Sequence, residues 1–286
     1  MVKESSGPSP RPGSHLVMVL PDMHVPHHDR KALGCVLAAH AYLSPAKTVI
    51  LGDWLDCEAW SSYPRNQKPE DRATYYHEDE ILPVRRILER FEQNTKEIIY
   101  LAGNHEHRVE RKIVELGEVG AGIANLVDPG RLLGQGRKPG WSYIEYSRKP
   151  ECPLPHYKIA KDLIAVHGWS FAKHAAAKHL EIARSYSVVH GHTHRAQSFT
   201  AREPVTGQTL KAWSPGCLSR LQPIYMQHSP TDWVHGFSLV YVSDDLGSWT
   251  EYTVEIRDGM CILPGGHKID GKKWLKDVKA LEKGEP

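Results

Sequence analysis

The sequence predicts an α/β fold whose strands end in clusters of carboxylates and imidazoles. Short apolar runs, Leu16-Val17-Met18-Val19-Leu20, residues 48–51 and residues 97–101, are separated by stretches with helical spacing. Each run meets a proline or glycine within two residues, at Pro21, Gly52 and Gly103. Beyond about residue 195 the alternation stops and only strand-like segments follow.

Residues 1–14, rich in Ser, Pro and Gly, cannot form a packed core and read as a disordered arm. A helix over 29–43, with Leu33, Val36, Leu37 and His40 on one face, joins the first two strands into a βαβ unit. Residues 57–76 are aromatic, charged and aperiodic, and read as an insertion at the mouth of a site. A helix over 78–94 precedes the third strand, and a charged helix over 108–116 follows it. Glycine and proline recur over 117–155, so loops are expected there. A strand over 163–166 ends at His167, a helix over 170–184 takes Ser170 as N-cap, and a strand over 186–189 ends at His190. Segments 208–213, 236–242 and 250–256 suggest a second, antiparallel-leaning sheet. Residues 264–286 read as a polar tail with a short helix over 274–281. The expected organisation is thus an arm (1–14), one domain (15–263) with insertions near 57–80 and 115–160, and a tail (264–286).

Composition narrows the function classes. At 286 residues, 40% apolar and 24% charged, the chain is that of an ordinary globular protein with no bilayer-length apolar run. The start lacks the apolar core of a signal peptide, so a cytoplasmic location is expected. The five cysteines are spread out without a C-x-x-C pair, which argues against a disulfide framework and a cysteine zinc site. A net charge of +2 does not suggest a protein that lives on phosphate backbones. The 18 histidines are the oddity.

At the strand ends stand Asp22 and His24, then Asp53, Asn104, His167, and finally His192 and His194. Carboxylate, imidazole and amide oxygen suit borderline-hard divalent cations. The set exceeds what one tetrahedral ion needs, and suits two ions roughly 3.5–4 Å apart sharing a carboxylate.

This order of motifs resembles the calcineurin-like metallophosphoesterase superfamily, whose signature is D-x-H, G-D-x-x-D, G-N-H-D/E, H and G-H-x-H. Here these are Asp22-Met23-His24, Gly52-Asp53-Trp54-Leu55-Asp56, Gly103-Asn104-His105-Glu106, His167 and Gly191-His192-Thr193-His194. The resemblance implies a four-layer αββα sandwich, two mixed β-sheets flanked by helices. It implies Asp22, His24, Asp53 and His194 around one ion, and Asp53, Asn104, His167 and His192 around the other, with Asp53 bridging. It implies two divalent metal ions, manganese first, with Fe, Zn, Ni, Co or Mg as alternatives. The expected reaction is hydrolysis of phosphodiesters, and also of phosphomonoesters, by metal-activated water attacking phosphorus. His105 would serve the leaving oxygen as acid or hydrogen-bond donor, oriented by Asp56. The second motif continues Asp56-Cys57-Glu58 in place of the Asp-Arg-Gly of protein Ser/Thr phosphatases, which sets the chain apart from them. The run from His167 to Lys173, with His107-Arg108 after Glu106, is similar to phage and bacterial members of unassigned substrate.

Blander readings compete at each position. Asp22 alone would be a turn residue, and Asp56 equally a cap of the following segment. His190 reads as a core histidine, and His27, His28, His107, His174 and His179 as surface residues. Lys173, His174, Lys178 and Arg195 are read as a solvated face rather than phosphate contacts. Trp54, Trp60 and Tyr63 could wall the pocket or stack a base, with Trp54 read as core; Trp213 and Trp233 read as packing between strands. Partners are expected to be a phosphate-ester substrate, nucleic acid only as substrate, and no membrane, with oligomeric state open. A nuclease of the same superfamily, a phosphatase and a metal-poor interaction scaffold are the alternatives. The scaffold predicts lost ligands, and the sequence has lost none.

Overall fold

The structure is a computed structural model that describes residues 13–61, 75–134, 139–146, 155–223 and 230–284. Expectations for the first twelve residues, for Tyr63 and for Cys152 lie outside the described residues. Two mixed sheets form the centre. The first has the order β11-β10-β1-β2-β3-β4, from β1 (Ser14–Leu20), β2 (Lys47–Ile50), β3 (Glu97–Leu101), β4 (Trp141–Ile144), β10 (His235–Ser243) and β11 (Trp249–Ile256). The second has the order β5-β6-β7-β9-β8, from β5 (Tyr157–Ala160), β6 (Leu163–Val166), β7 (Ser187–His190), β8 (Ala196–Arg202) and β9 (Thr209–Pro215).

Period-two alternation explains the layering. Leu16, Met18 and Leu20 of β1 face a core shared with helices, whereas Val17 and Val19 face the other sheet. In β3, Ile98 and Tyr100 turn to the helices, and Ile99 and Leu101 to Leu163, Ala165, Val189 and Trp213 of the second sheet. The helical layer on the first sheet comprises α1 (Arg30–Leu43) and α2 (Leu82–Phe91). On the second sheet, Ala176 and Leu180 of a helix over Ala175–Ala183 cover Ile164, Val166 and Val188. The order is helix, sheet, sheet, helix: the four-layer architecture expected from the motifs.

Strands β1, β2, β3 and β4 run parallel, as do β6, β7 and β9. The carboxyl ends carrying the motifs therefore lie on one edge of each sheet, where open α/β sheets place their sites.

Several expectations are corrected. The late strands form no separate sheet: β10 and β11 extend the first sheet antiparallel from β1, and β9 joins the second beside β7. The segment before α2 begins as a π-helix over Tyr76–Ile81, where the buried Glu80 carboxylate accepts from Cys57 N and Glu58 N. The charged helix expected after β3 is α3 (Glu106–Glu115), but the glycine-rich stretch, expected as loops, holds α4 (Gly117–Val127) and α5 (Pro129–Leu133). The helix after His167 is α6 (Ala175–Ala183) and starts later than Ser170.

The expected polar tail is a packed element. A β-hairpin of β12 (Met260–Ile262) and β13 (Lys268–Asp270) leads into α7 (Leu275–Lys283), which lies on α1 and α2 with Val278 fully buried. Glu282 accepts from His28 Nε2 at 2.8 Å and from Arg30 Nε at 2.7 Å, and Arg86 donates to the carbonyls of Leu281 and Glu282. His28 is therefore buried rather than at the surface. Cys35, Cys57, Cys217 and Cys261 are free and buried. Among the described residues no helix is long and apolar enough to cross a membrane.

Candidate metal centre

The loops after β1, β2, β3, β6 and β7 converge, and the convergence forces unusual backbone. His24 (φ 51°), Asp53 (φ 50°), His192 (φ 69°) and His194 (φ 58°) all adopt left-handed conformations. For residues with a side chain this costs on the order of 1–3 kcal/mol each, and it persists only where surrounding structure dictates it. Here loop-to-loop hydrogen bonds do so. Met23 N and His24 N both donate to Asp53 O, at 3.0 and 2.9 Å, and His192 N donates to the Asp22 carboxylate at 2.8 Å. Gly52 and Gly103 are required by closeness: a Cβ on Gly52 would lie 2.6 Å from Gly103 N, and one on Gly103 would lie 2.1 Å from Asp53 Oδ1.

Sequence reading missed the residue that locks these loops together. Glu106 is fully buried, and its carboxylate accepts from Gly103 N (2.8 Å), Asp53 N (3.0 Å), Trp54 N (3.1 Å), Leu55 N (3.1 Å) and Tyr100 Oη (2.6 Å). The signal was the acidic residue that closes the G-N-H-D/E motif. It could have been read as a loop brace, because a buried carboxylate needs several donors.

Tautomers can be read from the outer ring nitrogens. His167 Nδ1 donates to Leu51 O at 2.7 Å, so its Nε2 carries the lone pair. That nitrogen faces Asn104 Oδ1 at 2.9 Å, His192 Nδ1 at 3.1 Å and Asp53 Oδ2 at 3.4 Å. His24 Nδ1 donates to Asp56 Oδ1 at 3.1 Å, and its Nε2 faces His194 Nε2 at 3.1 Å and Asp53 Oδ2 at 3.8 Å. His194 Nε2 lies 3.6 Å from Asp22 Oδ1. Electron-pair donors pointed at one another in a buried space are the signature of a cation site. Four groups of the described residues could hold a cation on geometry alone: Asp22–His24–His194, Asp53–His167–His192, His24–Asp53–His105 and His27–Asp56–Glu58. The first two are the sets named from the sequence, with Asn104 beside the second. All seven residues named from the sequence are thus brought together, and Asp53 Oδ2 faces ring nitrogens from both sets.

Electrostatics favour the metal-ready form of the two buried imidazoles, but not of the shared carboxylate. Burial, then the charge of His105, pushes His24 down to about 3, and burial with the His167 charge pushes His192 down to about 2. Both rings therefore keep their lone pairs at neutral pH. Burial raises the Asp53 carboxyl well above the ordinary carboxylate range. For Asp22, burial acts upward, but the His194 hydrogen bond and the surrounding imidazoles hold it below its ordinary value.

His105 and Asp56 stand beside this centre. His105 Nδ1 donates to Asp56 O at 2.8 Å and lies 3.3 Å from Asp56 Oδ1, while Nε2 lies 3.8 Å from Asp53 Oδ2. Burial pulls the His105 pKa down, yet the Asp53 charge and the Asp56 hydrogen bond outweigh it, and the ring sits above its ordinary value. Asp56 goes well below its own, since hydrogen bonds from His105 and His24 outweigh its burial. Asp56 therefore serves two imidazoles, one in the ligand set and one beside it.

Among the other histidines and aromatics, His179 and Trp233 differ from expectation. His179 is fully buried and stacks on His190 at 3.8 Å, and its Nε2 accepts from Trp169 N. His190 is a core residue as expected. Trp54 is core, its Nε1 donating to Pro21 O, and Trp60 packs on Tyr76. Trp213 packs between the sheets, with Nε1 donating to Ser238 Oγ. Trp233 does not: its ring lies edge-on to His194, 4.1 Å between centroids.

No family model matches the chain. It is 24% identical over 275 residues to the Gene 54 protein of Mycobacterium phage L5, covering 91% of this chain and 99% of that protein. Among solved structures, a Vps29 single mutant from Entamoeba histolytica superimposes with a TM-score of 0.41 at 15% identity, covering 89% of this chain and 98% of that one. Chaetomium thermophilum Vps29 gives 0.38 at 15% identity, covering 89% and 92%.

Proposed function

We propose that the chain is a binuclear metal-dependent phosphoesterase that hydrolyses phosphodiesters, with phosphomonoesters as secondary substrates. The observation that carries this reading is the convergence of Asp22–His24–His194 and Asp53–His167–His192 around Asp53 Oδ2, with the His105–Asp56 pair at its edge. Two divalent ions held there, manganese first, would supply an acidified water and neutralise charge on the phosphoryl oxygens.

The remaining work falls to the chain. Asp56 orients His24 through Nδ1 and His105 through Nδ1, leaving both Nε2 atoms turned inward. His105 Nε2 is the atom that meets the leaving oxygen, and it holds or gives a proton there. Arg108, whose Nη2 lies 3.0 Å from that nitrogen, is placed to take a phosphoryl oxygen.

The test is hydrolysis of bis(p-nitrophenyl) phosphate beside p-nitrophenyl phosphate in metal-stripped protein refilled with Mn²⁺, Ni²⁺, Zn²⁺ or Mg²⁺. Faster turnover of the diester is expected. Faster monoester turnover would make it a phosphatase, and silence on both with ions bound would overturn the reading.

A further inference from the structure

Phe171 is out of place for a large apolar side chain. It is 71% exposed, yet its ring sits 3.8 Å, centroid to centroid, from that of His192 in the ligand set. The segment that presents it is held from several sides. Arg195 Nη2 donates to Phe171 O at 3.2 Å and to Ala172 O at 2.9 Å, and Gln197 Nε2 donates to Lys173 O at 2.9 Å. These anchors use the residues for which a helix from Ser170 was expected.

The same guanidinium reaches the neighbour of a second aromatic. Arg195 Nη1 lies 3.5 Å from the Asp232 carboxylate, the residue before Trp233, whose ring packs on His194. One side chain, directly after His194 in sequence, thus holds the main chain at Phe171 and pairs with the residue before Trp233. Tyr146 adds a third, 5.8 Å from His167 and 5.3 Å from His107. The centre is rimmed by aromatic rings, and the most exposed of them is pinned rather than packed away.

A fixed aromatic face beside a phosphoryl site is a surface on which a planar ring stacks, in a sequence-tolerant way. We propose that Phe171, held by Arg195, is the stacking platform for a nucleobase joined to the reacting phosphoryl group, so that the substrates are nucleotidyl phosphodiesters. The proposal rests on the phosphodiesterase reading above. It places base stacking at Phe171 and away from Trp54, which is buried, and Trp60, which packs on Tyr76.

The experiment compares thymidine 5′-(p-nitrophenyl) phosphate with methyl p-nitrophenyl phosphate, which share a leaving group, on the full-length Mn²⁺-loaded protein. The expected kcat/KM advantage of the thymidine ester is on the order of tenfold. It falls toward unity in Phe171→Ala and returns in Phe171→Tyr, which restores a ring. A ratio near one in the parent protein, or a ratio unchanged by Phe171→Ala, overturns the proposal. Titration calorimetry with thymidine 5′-monophosphate against methyl phosphate keeps the two readings apart. If neither ester is turned over, the phosphodiesterase reading fails, while tighter nucleotide binding that Phe171→Ala abolishes still supports the platform. Nucleotide binding no tighter than methyl phosphate overturns it.

Discussion

Arg108 Nη2 donates to His105 Nε2 at 3.0 Å. Its Nη1 donates to Asp56 O at 3.0 Å, so the guanidinium spans the residue that would meet the leaving group and the residue that orients it. His105 donates through Nδ1 to the same carbonyl, so Nε2 accepts from Arg108 while the ring is neutral and carries the transferable proton when the ring is charged.

Arg108→Ala is therefore expected to lower kcat/KM for bis(p-nitrophenyl) phosphate by about 10- to 100-fold, the loss of one charge-assisted hydrogen bond. Arg108→Lys should not restore it, because an ammonium cannot make the same fork. The Arg108 charge opposes protonation of His105, so its removal should also move the alkaline limb of the pH–rate profile upward. Parent-like kinetics in Arg108→Ala would remove Arg108 from the site.

Ligand and acid are separable. His105→Ala should cut turnover by about 10² or more while metal content, read by mass spectrometry, stays at the parent level. Asp53→Ala should lose both, since its carboxylate faces ring nitrogens of both sets. Unchanged turnover in the two variants would sink the assignment.

Glu106→Ala would leave four backbone N–H groups and the Tyr100 hydroxyl without their buried acceptor. A loss on the order of 3 kcal/mol or more is expected, and with it a Tm lower by about 6 °C or more in calorimetry. A Tm within a degree of the parent would show that the loops hold without it.

The docking of α7 has a pH signature. Hydrogen bonds from His28 and Arg30 outweigh burial and bring Glu282 from 4.5 down to about 2. A carboxyl depressed on folding stabilises above its unfolded value, and that contribution is lost as pH falls from 4.5 to about 2. The pair is partly open to solvent, so the contribution is on the order of 1 kcal/mol. Glu282→Gln should lower Tm at pH 7 and match the parent near pH 2. An equal difference at both pH values would assign the effect to packing instead.

The legible part of the molecule was the part built from repetition. The strands before Asp22, Asp53 and Asn104 announced themselves because they are buried on both faces and read as continuous apolar runs. The ligand residues were legible because each follows such a run. Sheet membership was not: 236–242 reads as a strand whether it pairs with β1 or with its sequence neighbours, and only tertiary packing decides. Strand β8, Ala-Gln-Ser-Phe-Thr-Ala-Arg, was missed because an edge strand with a largely exposed face carries little apolar pattern. The late start of α6 was hidden for a different reason. Residues 170–174 have helical composition, but Arg195 and Gln197 take three of their carbonyls. His179 looked like a surface residue by type, and stacking on His190 put it inside.

The hydrogen bond from His192 N to the Asp22 carboxylate spans 170 residues of chain. Such a contact closes late, because loop-closure entropy must be met before it can form. During synthesis the first sheet's ligand loops emerge well before the second sheet that completes them. Neither Asp22–His24–His194 nor Asp53–His167–His192 is whole in a nascent fragment ending before Gly191, so assembly of these two sets is coupled to completion of the sandwich.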